Sequence, residues 1–494
     1  MPMLWPAYHR FLITTLACVA VTVPVQTAHA QDPKPPSSHM YDIVIRNGRV
    51  MDPETRLDAV RNVGIQDGKV AAISADPLQG KSVIDATGLV VAPGFIDLHS
   101  HGQDEENYRY KAMDGVTTAL ELEVGAWPVP AWYAAREGKA LINYGASAGH
   151  VRVCVAVMHD SGTFLPRDKV ITDVPTAAQQ AQILADLDEG LRQGGIGIGM
   201  GLAYTPHESP ADILKVFKLA ARWKEPIFVH MRTPGVLTPG VVDSLQEMIA
   251  DAAITGASVH IVHINSMANK LTPLALEMIH GAQKRGLDVS TEAYPYTAGA
   301  TEIESAVFSG DWQKQFGISY GDLQWVNTGE RLTEESFNRY RKTGGSVIMF
   351  TNTDEMVRLV MADPTVMIAS DGLMTNGKGH PRSAGMYARV LGVYVRQQKV
   401  LSLMEALRRS SLAPAQRLES FTPQMKRKGR LQVGADADID VFNADTVIDK
   451  ATFQNPAQYS YGFKYVLVGG QFVVRDGKID ETKLPGKAIR TTVQ

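Results

Sequence analysis

The sequence predicts an α/β fold: a (β/α)8 TIM-type barrel joined to a small β-sandwich built from both ends of the chain. Two textures carry this reading. From Tyr41 onward, short β-rich runs such as "YDIVIRNGRVMD" and "VGIQDGKVAAIS" are punctuated by Asn-Gly and Asp-Gly, the signature of tight hairpins. The same texture returns near the end in "DADIDVFNADTVI" and "YVLVGGQFVVRDGKI", so the two segments are expected to share one β domain. The middle parses into eight apolar runs separated by helical patterns: "FIDLHSH", "GVTTALELEVG", "HVRVCVAV", "GIGIGMGLAY", "PIFVHMR", "SVHIVHI", "DVSTEAYPY" and "TVMIASDG". Eight strands alternating with helices is the barrel count, and such barrels carry their chemistry at the carboxyl ends of the strands. The expected boundaries are a leader over 1–30, a linker over 31–40, β-sandwich over 41–93 and 432–494, and barrel over 94–431.

At 494 residues, with 45% hydrophobic and 20% charged residues, the chain can bury a large core and has none of the bias of a disordered protein. A net charge of -3 provides no basic stripe, which argues against nucleic acid as a partner. The apolar stretch from Phe11 to Val25, preceded by Arg10 and followed by "AHA", reads as a cleavable secretory signal cut after Ala30. The mature chain is then exported, periplasmic or secreted, with no membrane attachment. "QDPKPPSSHM" is Pro- and Ser-rich and reads as an extended linker. Of the two cysteines only Cys154 would survive cleavage, so no internal disulfide is possible.

The chemistry is written at the strand ends. His99 and His101 sit two apart on a strand, so both point to one side. Strand five ends in His230, strand six in His263 and strand eight in Asp371. Four imidazoles and a carboxylate on one rim form a ligand set for one or two first-row divalent ions. His150, His207, His260 and His280 fall away from the catalytic ends and receive no metal role.

With "APGFIDLHSH", "GVTT", "GLAYTP", "VHMR", "EAYPYTAG", "ASDG" and "HPR" followed by "ARVLG", in that order, the chain resembles the metal-dependent amidohydrolase superfamily. Within it, the resemblance is to the N-acyl-D-amino-acid deacylases, of the D-aminoacylase and N-acyl-D-glutamate deacylase type. It implies that His99 and His101 hold one metal position, that His230 and His263 hold the other, that Asp371 handles protons, and that the cofactor is a divalent metal, zinc foremost.

The chain departs from that pattern in two places. Those deacylases carry a metal-ligating Cys near the end of strand two, where this sequence has Val124, which cannot ligate. Glu121 and Glu123 lie on the other face of that strand, and a buried glutamate is costly unless it is paired or bound to a metal. Glu123, nearer the strand end, is expected to replace the thiolate as ligand or bridge, with Glu121 second; the competing reading makes both salt-bridge partners. The family's Lys two positions after the strand-six His is Asn265 here, leaving Arg232 or Arg382 to meet a substrate carboxylate. Strand four has no lysine for a carboxylated bridge, which argues against the cyclic-amide branch.

Tyr204, Tyr294, Tyr296 and Arg382 follow catalytic strands and are candidates for substrate contact, with Tyr204, Tyr296 and Arg382 leading. The aromatic, charged stretch from Thr301 to Arg341 reads as a specificity insertion. The expected function is hydrolysis of a linear C-N amide in a small molecule, N-acyl-D-amino-acid deacylation first. A dipeptidase or amide-toxin hydrolase on the same fold is the nearest alternative. A silent metal- or substrate-binding protein is the non-enzymatic one. The oligomeric state stays open.

Overall fold

The computed structural model describes residues 39–493; the expected leader and residues 31–38 of the expected linker lie outside the described residues. Eight parallel strands follow one another in chain order around a barrel: Phe95–Asp97, Val116–Ala126, Asn143–Gly149, Ile198–Gly201, Ile227–His230, Val259–Ile261, Val289–Ala293 and Val366–Ile368. Its seam, between the first and last strands, is closed just past their ends. The Asp371 N–H donates to the His99 carbonyl at 2.7 Å, and Ser100 bridges Gly372. Beneath it the Asp97 carboxylate accepts from the Ser370 N–H at 2.9 Å and from the buried Lys111 ammonium at 2.6 Å.

The third strand is not where the sequence pattern put it. "HVRVCVAV" is a helix, His150–Met158, and the strand is the preceding "NYGASAG". Valine-rich runs favour strands, but here His150, Val151, Val153, Cys154 and Met158 are the buried positions, and their spacing is helical. The small residues of the strand answer a packing need. A Cβ on Gly149 would lie 2.3 Å from the Val124 carbonyl oxygen, and one on Gly145 would lie 2.4 Å from that of Ile489.

The β domain is one nine-stranded sheet, with strands from 40–93 and from 439–479. Its two halves are joined where Val90–Pro93 pairs in parallel with Met40–Asp52 and antiparallel with Ile439–Phe442. Ile45, Val63, Val91, Ile439 and Val441 pack in its own apolar core. Between the seventh and eighth barrel strands, Gly299–Glu302, Leu323–Trp325 and Ser346–Met349 form a small antiparallel sheet. Phe308, Trp312, Trp325 and Phe337 fill its core. Among the described residues, no helix is long and apolar enough to cross a membrane.

Candidate metal centre

Glu123, at 2% exposure, sits at the middle of the barrel mouth and faces a histidine pair with each of its oxygens. Oε2 lies 2.9 Å from His99 Nε2 and 3.1 Å from His101 Nε2. Oε1 lies 2.8 Å from His230 Nδ1 and 3.6 Å from His263 Nε2. Asp371 joins the first group, its Oδ1 being 3.5 Å from His99 Nε2 and 3.2 Å from His101 Nε2. One strand position, two residues beyond Glu121 on the same face, therefore brings a carboxylate between donors from the first, fifth and sixth strands.

Each member of the first pair is held from behind. Glu292 Oε1 accepts from His99 Nδ1 at 2.7 Å, and Glu121 Oε2 from His101 Nδ1 at 2.9 Å, which turns both Nε2 atoms inward. Glu292 is itself steadied by His260 at 3.0 Å, and that ring's other nitrogen reaches Ser290 Oγ at 2.7 Å. Such outer partners set the tautomer and aim of metal-binding imidazoles. Sequence reasoning missed Glu292 and His260; an acid inside a strand buried at every position was the signal that could have found them.

The electrostatics fit a bound cation. Burial alone would lower the His99 pKa, but Asp371, Glu123 and Glu292 together raise it to about 10. Burial works to raise the Glu123 carboxyl, yet the surrounding imidazoles hold it well below the carboxylate range. His263 is 4% exposed, its Nδ1 has no partner among the described residues, and its Nε2 points at Glu123 from beyond hydrogen-bond distance. A buried imidazole without a hydrogen bond, two crowded Nε2 atoms 3.1 Å apart and two carboxylates are satisfied together by divalent ions. His99, His101, Glu123 and Asp371 form one donor group, and Glu123, His230 and His263 a second. Nitrogen and oxygen donors suit zinc and its first-row neighbours.

The centre opens into a cavity of about 420 Å³ whose far wall is the insertion, through Thr301, Glu302, Val307, Phe316 and Met349. Asp371 and Arg382 lie on it, with Arg382 Nη2 2.8 Å from Asp371 Oδ2. Among the described residues Arg382 Nε and Nη1 have no partner, and its guanidinium stacks 4.5 Å over Tyr294. Tyr204 lines the same cavity beside His230, its hydroxyl 3.4 Å from Thr301. Two expectations need correction. Tyr296 is not among the lining residues. The Tyr296 N–H bonds back to the Tyr294 carbonyl at 3.0 Å, and its ring turns away to pack 5.1 Å from His380, leaving Tyr294 in the wall. Arg232 is committed elsewhere, to Glu247 at 2.8 Å and the Glu208 carbonyl at 2.9 Å. Asn265 is fully buried and donates to the Tyr294 carbonyl at 3.2 Å, so it brings no charge to the site.

Residues 82–474 match the amidohydrolase family. The chain belongs to that family. Among its relatives is the N-acyl-D-glutamate deacylase of Alcaligenes xylosoxydans xylosoxydans, 29% identical over 91% of this chain and 96% of the relative. The D-aminoacylase of the same organism is 28% identical over 88% and 94%. Among solved structures of the family, the N-acyl-D-glutamate deacylase from Bordetella bronchiseptica, complexed with zinc and a phosphonate mimic of the tetrahedral intermediate, superposes with a TM-score of 0.77. It is 26% identical over 92% of this chain and all of that one. A D-hydantoinase superposes less well, with a TM-score of 0.60 at 19% identity, and shares the fold.

Proposed function

We propose that this chain is a metal-dependent hydrolase of linear amides, an N-acyl-D-amino-acid deacylase acting on small molecules. The observation that carries the reading is the single carboxylate of Glu123 set between two histidine pairs, with Asp371 against one of them on the cavity wall. The two Alcaligenes relatives, a deacylase of N-acyl-D-glutamate and a D-aminoacylase, support the same substrate class.

His99, His101, His230 and His263 would hold the metal, with Glu123 between the two positions. Zinc is favoured by the donor set and by the zinc in the Bordetella deacylase. When bound, the ion supplies an acidified water and polarises the scissile carbonyl. Asp371 Oδ1 takes the water proton and returns it to the leaving nitrogen, while Arg382 Nη2 keeps the carboxylate aimed. The Arg382 guanidinium, on the cavity wall, would meet a substrate carboxylate, a task to which Asn265 contributes no charge. Tyr204, on the cavity wall, would donate its hydroxyl to the tetrahedral oxygen.

The test is hydrolysis of an N-acetyl-amino-acid panel of both chiralities alongside hydantoin and dihydroorotate, with metal content measured on wild type and Glu123→Ala. Turnover of N-acetyl-D-amino acids, lost in Glu123→Ala together with a rim ion, is expected. Turnover confined to the cyclic amides, or Glu123→Ala with its metal and activity intact, refutes the reading. We also infer export, on the leader-like stretch before Gln31. Amino-terminal sequencing of the secreted or periplasmic protein should start near Gln31; a chain retaining residues 1–30 sinks that inference.

A further inference from the structure

A second group of side chains of metal-ligating type lies outside the cavity, where no step of the proposed reaction uses it. His150 and Cys154 are one turn apart on the helix after the third strand, and Glu208 comes from the loop after the fourth. All three are buried, at 0%, 1% and 4% exposure. His150 Nε2 lies 3.7 Å from Cys154 Sγ and 3.9 Å from Glu208 Oε1, and Cys154 Sγ lies 3.7 Å from that same oxygen. The nitrogen-to-oxygen separation is too long for a hydrogen bond, so among the described residues the thiol is the sole polar partner of a fully buried imidazole. The three atoms form a nearly equilateral triangle whose centre is about 2.2 Å from each corner, within the range of zinc bonds to nitrogen, oxygen and sulfur.

We propose that His150, Cys154 and Glu208 bind a structural divalent ion of the zinc class, separate from the catalytic centre. Charge favours a divalent ion: a thiolate, a carboxylate and a neutral imidazole sum to minus two, so the buried site becomes neutral when a dication enters. Burial, more than the opposing pull of Glu208, lowers the His150 pKa and keeps the imidazole in its ligating form. Binding breaks the Cys154 S–H bond, the proton leaving to solvent and the electron pair going to the ion. The outer contacts already exist. Gln180 Nε2 holds Glu208 Oε2 at 2.7 Å, and Arg232, two residues beyond His230, donates to the Glu208 carbonyl at 2.9 Å. The ion would therefore tie the helix after the third strand to the loops after the fourth and fifth strands, behind one histidine pair of the rim.

Sulfur makes the test specific, because Cys154 is the free cysteine of the described residues and the rim group contains none. The full-length protein is expressed in cobalt-supplemented medium, and its near-ultraviolet spectrum and metal content are compared with those of Cys154→Ser, Glu208→Gln and Glu123→Ala. Wild type is expected to show a sulfur-to-cobalt charge-transfer band and to hold one more ion per chain than Cys154→Ser. Glu123→Ala, altered only at the rim, is expected to keep the band. Glu208→Gln, which preserves the side-chain shape, carries the comparison if Cys154→Ser does not fold, and is expected to lose the ion. A wild-type protein without the band overturns the proposal, as does a folded Cys154→Ser or Glu208→Gln variant with the wild-type band and metal count. Deacylase activity enters neither criterion, so failure here is distinguishable from failure of the proposed function.

Discussion

Two sets of buried carboxylates, at the barrel mouth and at the junction with the β domain, show opposite behaviour under equal burial. At the mouth, desolvation works to raise Glu292, yet His99 and His260 bring it down to about 2. At the junction, burial raises Asp114 to about 7 although Ser460 and the Ala388 and Tyr387 N–H groups bond it. Asp440 is driven well above the carboxylate range by burial and then by Asp114 and Asp438. Burial sets the cost, and the neighbours decide how it is met. The mouth keeps anions charged for a cation, whereas the junction meets the same cost by keeping protons.

Removing charge should therefore be ruinous at the mouth and mild or favourable at the junction. Asp371→Asn is expected to cost about 10²–10⁴-fold in kcat, by steady-state kinetics. Glu292→Gln, which touches no substrate, should cost about 10–100-fold in metal affinity or activity through the loosened His99, as read by competition with a chelator. Asp440→Asn should raise stability at about pH 8 in denaturant melts, because the carboxyl must take up a proton to be buried uncharged whereas the amide is already neutral. A loss of stability there would end the comparison. Asp114 gives the smallest signal, in the slope of stability with pH. Its folded pKa of about 7 lies above the ordinary 3.8, so its contribution is complete below about pH 4 and is lost as pH rises through about 7. Asp114→Asn should flatten that part of the wild-type profile.

What could be read from the chain followed physical periodicity. The strand-end histidines, Asp371 and seven of the strands show in the sequence because period two and apolar runs mark a parallel strand at its catalytic end. The third strand was illegible because its Gly, Ala and Ser residues answer a neighbouring backbone, which no propensity records. Parity placed Glu121 and Glu123 on one face, but their division of labour follows from distances. Glu123 reaches both histidine pairs, while Glu121 stops behind His101. Tyr294 and Tyr296 have the same spacing and the same flanking chemistry. A local turn sends one into the cavity and the other out of it, and the residue types carry no trace of that choice.

The seam across which Asp371 meets His99 also carries an expectation about the order of assembly. Asp97 and Ser370, 273 positions apart, make contact only when the last strand arrives. Contacts of such separation come at the end of a slow search. A donor group drawn from the first strand end, the second strand and the stretch after the eighth does not exist before that moment, so the free energy of filling it is free energy of closing the ring. The ion then acts as a clasp on a hoop. Chelated protein should open faster in denaturant while refolding at a nearly unchanged rate, because the clasp forms after the slow step has passed.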